Sequence, residues 1–338
     1  MRPFKQFGID INRLLMVVVG IVVVVVIIFL FWWNNSFKID GDDEESQTAN
    51  VSSIAGLNCV NYYQRAVAVM LASDPVTRPL SGISSADLVV EMPVTSGGIT
   101  RLMAIYQCEI PDEIGSVRSA RKDFVPLAAG FKSVYAHWGG EHGILVELNK
   151  HIIDNLNALT DPGQAFFRKA GVQAPHNGFT SSEKINNAVA KLNYDMVDTF
   201  AGYPHSSDKP SRSLSNIADT LVVDYPSPYN VKWVYIEKDN IYSRTRGGRP
   251  EIDRNNNQQV STSVIIKMDV KIGEFYDQYI NVDVSGEGVA RVYQNGIVIN
   301  GKWKKDNIPM DSKLFFYDES GDEIKFVPGK IWIEVIAN

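Results

Sequence analysis

Twenty consecutive residues without a charge, Leu14 to Trp33, constrain this chain more than any other feature of its sequence. At a helical rise of about 1.5 Å per residue, such a run spans roughly 30 Å, which is the thickness of the hydrocarbon core of a bilayer. The run ends in Trp32-Trp33, which is typical of an aromatic anchor and unlike the small residues at the end of a cleaved signal peptide. The sequence therefore predicts a retained transmembrane helix at 14–33.

The charges on either side of this run predict its orientation. Arg2, Lys5 and Arg13 precede it, whereas Asp40 to Glu45 is acidic and contains no Lys or Arg. Because basic flanks stay on the cytoplasmic side, 1–13 is predicted to be a cytoplasmic tail and the body of the protein to lie outside the cytoplasm. The polar stretch at 34–56 is predicted to be an acidic linker.

The remainder of the chain is long enough for two folded domains. Apolar runs at 65–71, 86–92 and 99–106 are typical of buried strands, and Thr180-Ser181-Ser182-Glu183 has the spacing of a capping box that begins a helix. Short β-like runs separated by turns dominate after about residue 216, where Asn295-Gly296 predicts a hairpin. The predicted fold class is α+β, with the transmembrane helix, a mixed α/β domain at 57–205 and a β-rich C-terminal domain at 216–338.

Composition excludes some classes of function and leaves one bond undecided. A net charge of -6 argues against a nucleic-acid binder, which needs a basic surface. Cys59 and Cys108 lack the paired spacing of a zinc site, so no metal bound through sulfur and no cofactor are predicted. Outside the cytoplasm the two cysteines could form a disulfide, and a pair of free, buried thiols is the alternative.

Three arginines, Arg101, Arg118 and Arg121, are the clearest candidates for ligand binding. A guanidinium group stays charged and binds carboxylates or phosphates through paired hydrogen bonds. Gly139 and Gly140, between a predicted strand and a helix at 141–156, could add backbone N–H donors. The alternative is that these arginines only hold loops together by pairing with nearby carboxylates, such as Asp87, Glu91, Glu109 or Asp123.

Histidine and glutamate side chains provide candidates for acid–base chemistry. His137 and His176, with Glu91 or Glu141, could act as acid, base or metal ligands in a hydrolase or transferase. Glu141 and His142 are adjacent on a predicted helix and would point about 100° apart, so they do not share a metal easily. The favoured interpretation is that the histidines donate structural hydrogen bonds, and no metal site is predicted.

Four motifs resemble the YerB-like family of bacterial lipoproteins, which is catalogued as domain of unknown function 3048. They are Gly97-Gly98-Ile99-Thr100-Arg101, Ile114-Gly115 followed by Val117-Arg118-Ser119-Ala120-Arg121, His137 with Gly139-Gly140, and Ala174-Pro175-His176-Asn177. The resemblance implies an envelope location and supplies no catalytic residue. Lipoproteins carry a lipidated cysteine after the signal region, whereas none lies near Trp33, so the transmembrane helix is expected to replace the lipid.

Together these features predict a single-pass, membrane-anchored protein of the bacterial cell envelope. Its first domain is expected to bind an anionic wall polymer or an envelope protein through the three arginines, with Gly139, Gly140 and Asn177 nearby. The alternative function is an envelope hydrolase or transferase that uses the histidine and glutamate candidates.

Overall fold

The computed structural model describes residues 22–30, 50–208, 216–276 and 279–338, and the chain divides into two units, Met1–Ala49 and Asn50–Asn338. In the first unit, residues 22–30 form a helix, α1, whose apolar side chains are exposed. The predicted cytoplasmic tail at 1–13 and residues 34–49 of the predicted linker lie outside the described residues.

The predicted transmembrane helix at 14–33 is not supported. Across the described parts of the chain, no helix combines the length and the apolar character needed to cross a bilayer. Residues 14–21 and 31–33 of the predicted span lie outside the described residues.

The second unit is built mainly from strands. Its strands in the first half of the chain are β1 (Val67–Ala72), β2 (Leu88–Pro93), β3 (Thr100–Tyr106), β4 (Ile114–Gly115), β5 (Val134–His137), β6 (Asn155–Asn157), β7 (Phe167–Arg168) and β8 (Gly178–Thr180). Those in the second half are β9 (Thr220–Val223), β10 (Val231–Ile236), β11 (Ile241–Arg246), β12 (Arg249–Pro250), β13 (Ser261–Thr262), β14 (Val264–Val270), β15 (Ile272–Tyr276), β16 (Tyr279–Val282), β17 (Gly286–Gln294), β18 (Ile297–Lys305), β19 (Phe315–Asp318) and β20 (Ile331–Ala337). The helices are α2 (Val125–Gly130), α3 (His142–Leu148) and α4 (Ser182–Lys191), with 3-10 turns at Pro75–Thr77, Ile83–Ser85 and Lys122–Phe124.

A ten-stranded sheet in the order β19-β18-β17-β14-β20-β2-β3-β1-β5-β6 forms the centre of this unit. Strand β20 joins its two parts, because it pairs in parallel with β14 on one side and with β2 on the other. Its first five residues are buried on both faces, as expected for a parallel strand in the middle of a sheet.

The predicted fold class is therefore wrong. The described helices of the second unit are short, at most ten residues, and strands from both halves of the chain complete one sheet, so an α+β fold with a transmembrane helix does not describe the architecture. The reason is physical: β2 and β20 each bury both faces, and each needs the other as a hydrogen-bonded neighbour. The predicted boundaries at 57–205 and 216–338 stay a prediction, and residues 209–215 lie outside the described residues.

Side chains alternate across the large sheet and form a core on each face. On one face, β10 and β11 of a smaller sheet place Trp233 and Tyr242 in the same core as Trp332 of β20. The rings of Trp233 and Trp332 pack edge to face with their centroids 5.3 Å apart. The small sheet thereby covers the strand ends that carry the residues described below.

Two local predictions are confirmed. Helix α4 begins where the sequence predicts a helix, but its N-cap is Ser181 rather than Thr180: the side chain of Ser181 accepts a hydrogen bond of 3.2 Å from the backbone N–H of Lys184. The hairpin between β17 and β18 turns at Asn295 and Gly296, and both residues have the positive φ of a tight two-residue turn.

The helix predicted at 141–156 is shorter than its apolar spacing suggests. Helix α3 ends at Leu148, and His151 has a positive φ that stops a helix. Residues 155–157 form β6 instead, because they pair in parallel with β5 at the end of the sheet. Sheet pairing over long range has overridden local periodicity.

Cys59 and Cys108 are joined by a disulfide, with their Cα atoms 5.6 Å apart. The bond closes a loop of 49 residues, which contributes about 4 kcal/mol in the chain-entropy description. This decides between the two states that the sequence left open.

Candidate functional site

The segment from 116 to 121 crosses one edge of the large sheet, where the parallel strands β1 and β5 end. The backbone N–H of Arg118 donates to Met70 in β1, and the carbonyl of Arg118 accepts from Trp138 just after β5. The N–H of Ala120 donates to Gly139. The carboxyl ends of parallel strands are a common place for ligand sites in sheets with this arrangement.

Three guanidinium groups converge at this edge, and we call Arg101, Arg118 and Arg121 the arginine cluster. Arg101 stands at the start of β3, next to the end of β1 through the pair Ala72 and Arg101. Nη1 of Arg101 and Nη2 of Arg118 lie 3.7 and 3.2 Å from the same oxygen of Asp74. Two of the predicted arginines thus share one carboxylate.

Arg121 lies in the same electrostatic environment without an ion pair of its own among the described residues. Its guanidinium stands over the ring of Tyr279, 4.6 Å from the centroid, and Nη1 donates to the carbonyl of Ala120 at 2.9 Å. Burial lowers the pKa of Arg101 to about 10, and repulsion from Arg121 is the next largest cause. The three positive charges are therefore close enough to repel one another.

Several donors in the cluster are buried and have no acceptor. They are Nε and Nη1 of Arg101, Nε of Arg118 and Nε of Arg121. The hydroxyl of Tyr135 is fully buried and interacts with the backbone of Arg121. Burial raises the pKa of Tyr135, and the backbone of Arg121 and the positive charges of Arg121 and Arg101 oppose the shift, so the phenol is neutral. Unpaired buried donors are costly, and native structures keep few of them.

His176 accepts a hydrogen bond from one of these arginines. Its Nδ1 lies 2.6 Å from Nη2 of Arg118, and because a guanidinium can only donate, Nδ1 must carry the lone pair. Burial, and then the charge of Arg118, lower the pKa of His176. The imidazole is therefore neutral at pH 7 and adds no charge to the cluster.

A second group of charges lies at the same edge of the sheet, on the opposite face. This buried ion network consists of two arginines from β11, one carboxylate each from β2 and β20, and one from the segment after β12: Arg244, Arg246, Glu91, Glu334 and Glu251. Arg244 and Arg246 both bind Glu91, and Thr100 donates to Glu91 at 2.5 Å.

The carboxylates of this network differ in their acidity. The positive charges of Arg244 and Arg246 lower the pKa of Glu251 to about 2 against the effect of burial. Burial raises the pKa of Glu334 to about 7, with attraction from Arg244 opposing the shift and repulsion from Glu91 adding to it. Each arginine is matched by carboxylates, and all five side chains are shielded from solvent.

The other predicted residues are spread over different environments. His137 is buried, with Nδ1 2.8 Å from the carbonyl of Gly139 and Nε2 3.3 Å from Asn155, and burial lowers its pKa. Among the described residues, no hydrogen bond or ion pair joins His137 to Glu91 or His176. The assignment of a catalytic role to these residues stays a prediction.

The glycine turn and its neighbours are occupied by structural contacts. Gly139 has a positive φ of 66°, and its N–H donates to the side chain of Asn157 at 3.2 Å. Gly140 pairs with Ala120 in the crossing segment, and Glu141 stands before α3 without a capping hydrogen bond. Asn177 accepts a hydrogen bond of 2.7 Å from Arg168. In the described parts of the chain, no group of three His, Cys, Asp or Glu side chains is arranged to hold a metal ion.

Sequence reasoning missed Asp74, Tyr135 and Tyr279. Asp74 reads as part of an Asp-Pro turn, and the two tyrosines read as ordinary strand residues. Two of the carboxylates considered as partners from the sequence are engaged elsewhere: Asp87 accepts from Gln107 and Cys108, and Glu91 belongs to the buried ion network. The residue types of these carboxylates alone did not indicate their hydrogen-bond and ion-pair partners.

Fold and site define a class: β-rich proteins in which one mixed sheet carries a partly buried arginine cluster at its edge. The chain belongs to the DUF3048 family of proteins of unknown function, whose N-terminal domain matches residues 55–195 and whose C-terminal domain matches residues 221–333. This confirms the resemblance seen in the motifs.

The chain is similar to a protein sequence and to a solved structure from Bacillus subtilis. It is 31% identical to "Putative lipoprotein YerB" of Bacillus subtilis (strain 168) over 285 residues, which is 81% of this chain and 82% of that protein. It is also similar to the crystal structure of the YerB protein from Bacillus subtilis, with a TM-score of 0.76, 29% identity and coverage of 85% of this chain and 96% of that one.

Proposed function

We propose that this protein binds the phosphate or carboxylate group of an anionic envelope component or partner through Arg101, Arg118 and Arg121, and that its body lies outside the cytoplasm. One observation carries the proposal: Arg101 and Arg118 share the carboxylate of Asp74, Arg121 lies close enough to repel Arg101, and buried donors of all three are left unpaired.

An anionic ligand supplies what the cluster lacks. Charge-assisted hydrogen bonds from guanidinium to carboxylate or phosphate are about twice as strong as neutral ones. The site is partly shielded from water, since the side chains of Arg101 and Arg118 are only 10% and 16% exposed, so the attraction is screened less than on an open surface. A bound anion would also relieve the repulsion between Arg101 and Arg121.

Two observations support a location outside the cytoplasm. The disulfide between Cys59 and Cys108 is a bond that persists in oxidising compartments and is rare in the cytosol. The relative with 31% identity is described as a lipoprotein, a class of protein held at the membrane surface. Trapping of thiols in intact cells tests this location: both cysteines should resist alkylation until a reductant is added, and free thiols in freshly trapped protein would contradict it.

Binding is tested with the purified full chain by isothermal titration with inorganic phosphate and by co-sedimentation with peptidoglycan and an anionic wall polymer. The variants Arg118→Met and Arg121→Met should lower the affinity for phosphate by about tenfold or more. Arg291→Met is the matched control, because Arg291 forms an exposed ion pair with Asp269 away from the cluster. Unchanged binding in both cluster variants would refute the proposal.

A further inference from the structure

We propose that the group recognised is a phosphomonoester, whose dianionic phosphate lies on the arginine cluster and whose organic substituent enters the adjoining cavity. This inference rests on the proposed function and narrows it from anions in general to one chemical class.

Charge balance favours a dianion. Arg101, Arg118 and Arg121 carry three positive charges and Asp74 one negative charge, so two positive charges remain uncompensated. His176 and Tyr135 are neutral and do not change this balance. A carboxylate or a phosphodiester supplies one negative charge, whereas a phosphomonoester supplies about 1.5 to 2 at pH 7. Of these anions the monoester compensates the most charge on the cluster itself, and Asp123 and Glu141 stand beside Arg121 in the wall of the adjoining cavity.

The number of unpaired donors favours the same group. Four buried nitrogens, all on the three arginines, have no hydrogen-bond partner in the described part of the chain. A phosphomonoester offers three strong acceptor oxygens, and a carboxylate offers two. The donors belong to three separate side chains, which suits a tetrahedral group better than a planar one.

A cavity of about 280 Å³ adjoins the cluster and has Arg121 in its wall. Apolar side chains of Met92, Val94, Phe124 and Ile280 line it together with the ring of Tyr279, which carries the guanidinium of Arg121. The volume is near the lower end of small-molecule pockets, so it suits one ring or a short chain.

Polar groups of the cavity limit what the substituent can be. Asp123 and Glu141 line it together with Lys122, so apart from Arg121 the wall carries two carboxylates and one ammonium group and disfavours a second anionic group. The half-buried side chain of Asn281 offers hydrogen bonds to a neutral group. We therefore expect an uncharged organic substituent of about the size of one ring.

The test is a series of ligands titrated calorimetrically into the full-length protein at pH 7.5. Methyl phosphate, a dianion, should bind about tenfold or more tightly than dimethyl phosphate, its monoanionic counterpart, and than acetate. Phenyl phosphate should bind more tightly than methyl phosphate, by a further factor of about ten, because its ring enters the cavity.

One variant separates the cavity from the cluster. Asn281→Trp fills the cavity from a position on β16, so it should remove the advantage of phenyl phosphate and leave the affinity for methyl phosphate unchanged. Unchanged methyl phosphate binding also shows that the variant is folded. If phenyl phosphate keeps its advantage in this folded variant, the assignment of the cavity is wrong.

The results of these titrations distinguish failure of the phosphomonoester inference from failure of the proposed anion binding. Equal affinity for methyl phosphate, dimethyl phosphate and acetate, lost in Arg118→Met, would overturn the phosphomonoester and leave anion binding standing. No binding of any of these ligands would overturn both. Vesicles that contain a lipid with a phosphomonoester headgroup, compared with vesicles of a phosphodiester lipid, then tell whether the source is a lipid or a soluble ester.

Discussion

Two groups of arginines lie at the same edge of the ten-stranded sheet, and they differ in their carboxylates. The buried ion network pairs Arg244 and Arg246 with Glu91, Glu251 and Glu334, and no side chain in it reaches solvent to any extent. The arginine cluster has three guanidinium groups and only Asp74 between them. Thr100 and Arg101, consecutive residues of β3, belong to one group each and point to opposite faces.

The two groups therefore differ in how far carboxylates compensate their arginines. Arg244 and Arg246 fasten β11 to β2 and β20 through Glu91, Glu251 and Glu334, and removal of a partner leaves a charge in an apolar environment, although Nε of Arg244 has no acceptor. Arg101 and Arg118 have Asp74 as their shared carboxylate, which is why we propose that the cluster binds an anion. The two groups of arginines differ in the number of carboxylates that contact them rather than in the number of arginines.

The largest effect is expected in the network. Replacement of Glu91 by glutamine leaves Arg244 and Arg246 without the carboxylate that they share, so the free energy of unfolding should fall by about 3–5 kcal/mol. Denaturation in urea measures the change. Asp269→Asn, which breaks the exposed pair with Arg291, is the control and should cost less than about 1 kcal/mol. Equal losses in the two variants would remove the distinction between network and surface pair.

The next effect concerns binding and leaves stability nearly unchanged. Arg118→Met should weaken binding of methyl phosphate by about 10- to 100-fold, because each charge-assisted hydrogen bond contributes about 1.5–3 kcal/mol. Its free energy of unfolding should change by less than about 1 kcal/mol. Titration calorimetry and urea denaturation of the same preparation give both values. A loss of several kcal/mol in stability would show that Arg118 acts like the arginines of the network.

The pH dependence of stability sharpens the comparison within the network. The pKa of Glu334 is raised from 4.5 to about 7 in the folded protein, so the unfolded chain loses this proton first as the pH rises. The contribution of Glu334 is present below pH 4.5 and is lost between pH 4.5 and 7, by an amount on the order of 3 kcal/mol. The difference in stability between the native protein and Glu334→Gln should therefore change across this window. A constant difference would mean that Glu334 is ionised throughout.

The smallest effect has the opposite sign. Arg101 is buried, has no full partner and has a lowered pKa, so its charge costs free energy in the absence of a ligand. Arg101→Met should raise the free energy of unfolding by about 1 kcal/mol while it weakens anion binding. Thermal unfolding with and without phosphate measures both changes. A drop in stability without ligand would place Arg101 with the structural arginines.

Local patterns in the sequence predicted much of the sheet. The apolar runs at 65–71, 86–92 and 99–106 correspond to β1, β2 and β3, because both faces of these strands are buried and leave a continuous apolar signal. Local sequence patterns do not predict which strand pairs with β2. Strand β20 lies far along the chain, and its pairing depends on which edge remains open after the other strands have assembled.

Some residues of the candidate site could also be predicted from the sequence. The three arginines stand in glycine-containing motifs and were chosen because guanidinium chemistry suits anions, and the structure brings them together. Glu91 was considered as a catalytic group because it is a carboxylate near these motifs, and the structure places it in the buried network. Residue type and position along the chain do not show on which face of the sheet a side chain lies. They also do not show which distant residue it contacts there.

The place of β20 in the sheet has a consequence for the order in which the protein can be made. Until residues 331–337 have been synthesised, β2 exposes a row of unpaired backbone groups, and such an open edge readily pairs with other chains. The arginine-bearing strands are made early, yet they stay part of an unfinished sheet until this late strand arrives between β2 and β14. A chain in which β20 has not yet taken this place therefore exposes an edge of β2 to which another copy of the chain can pair.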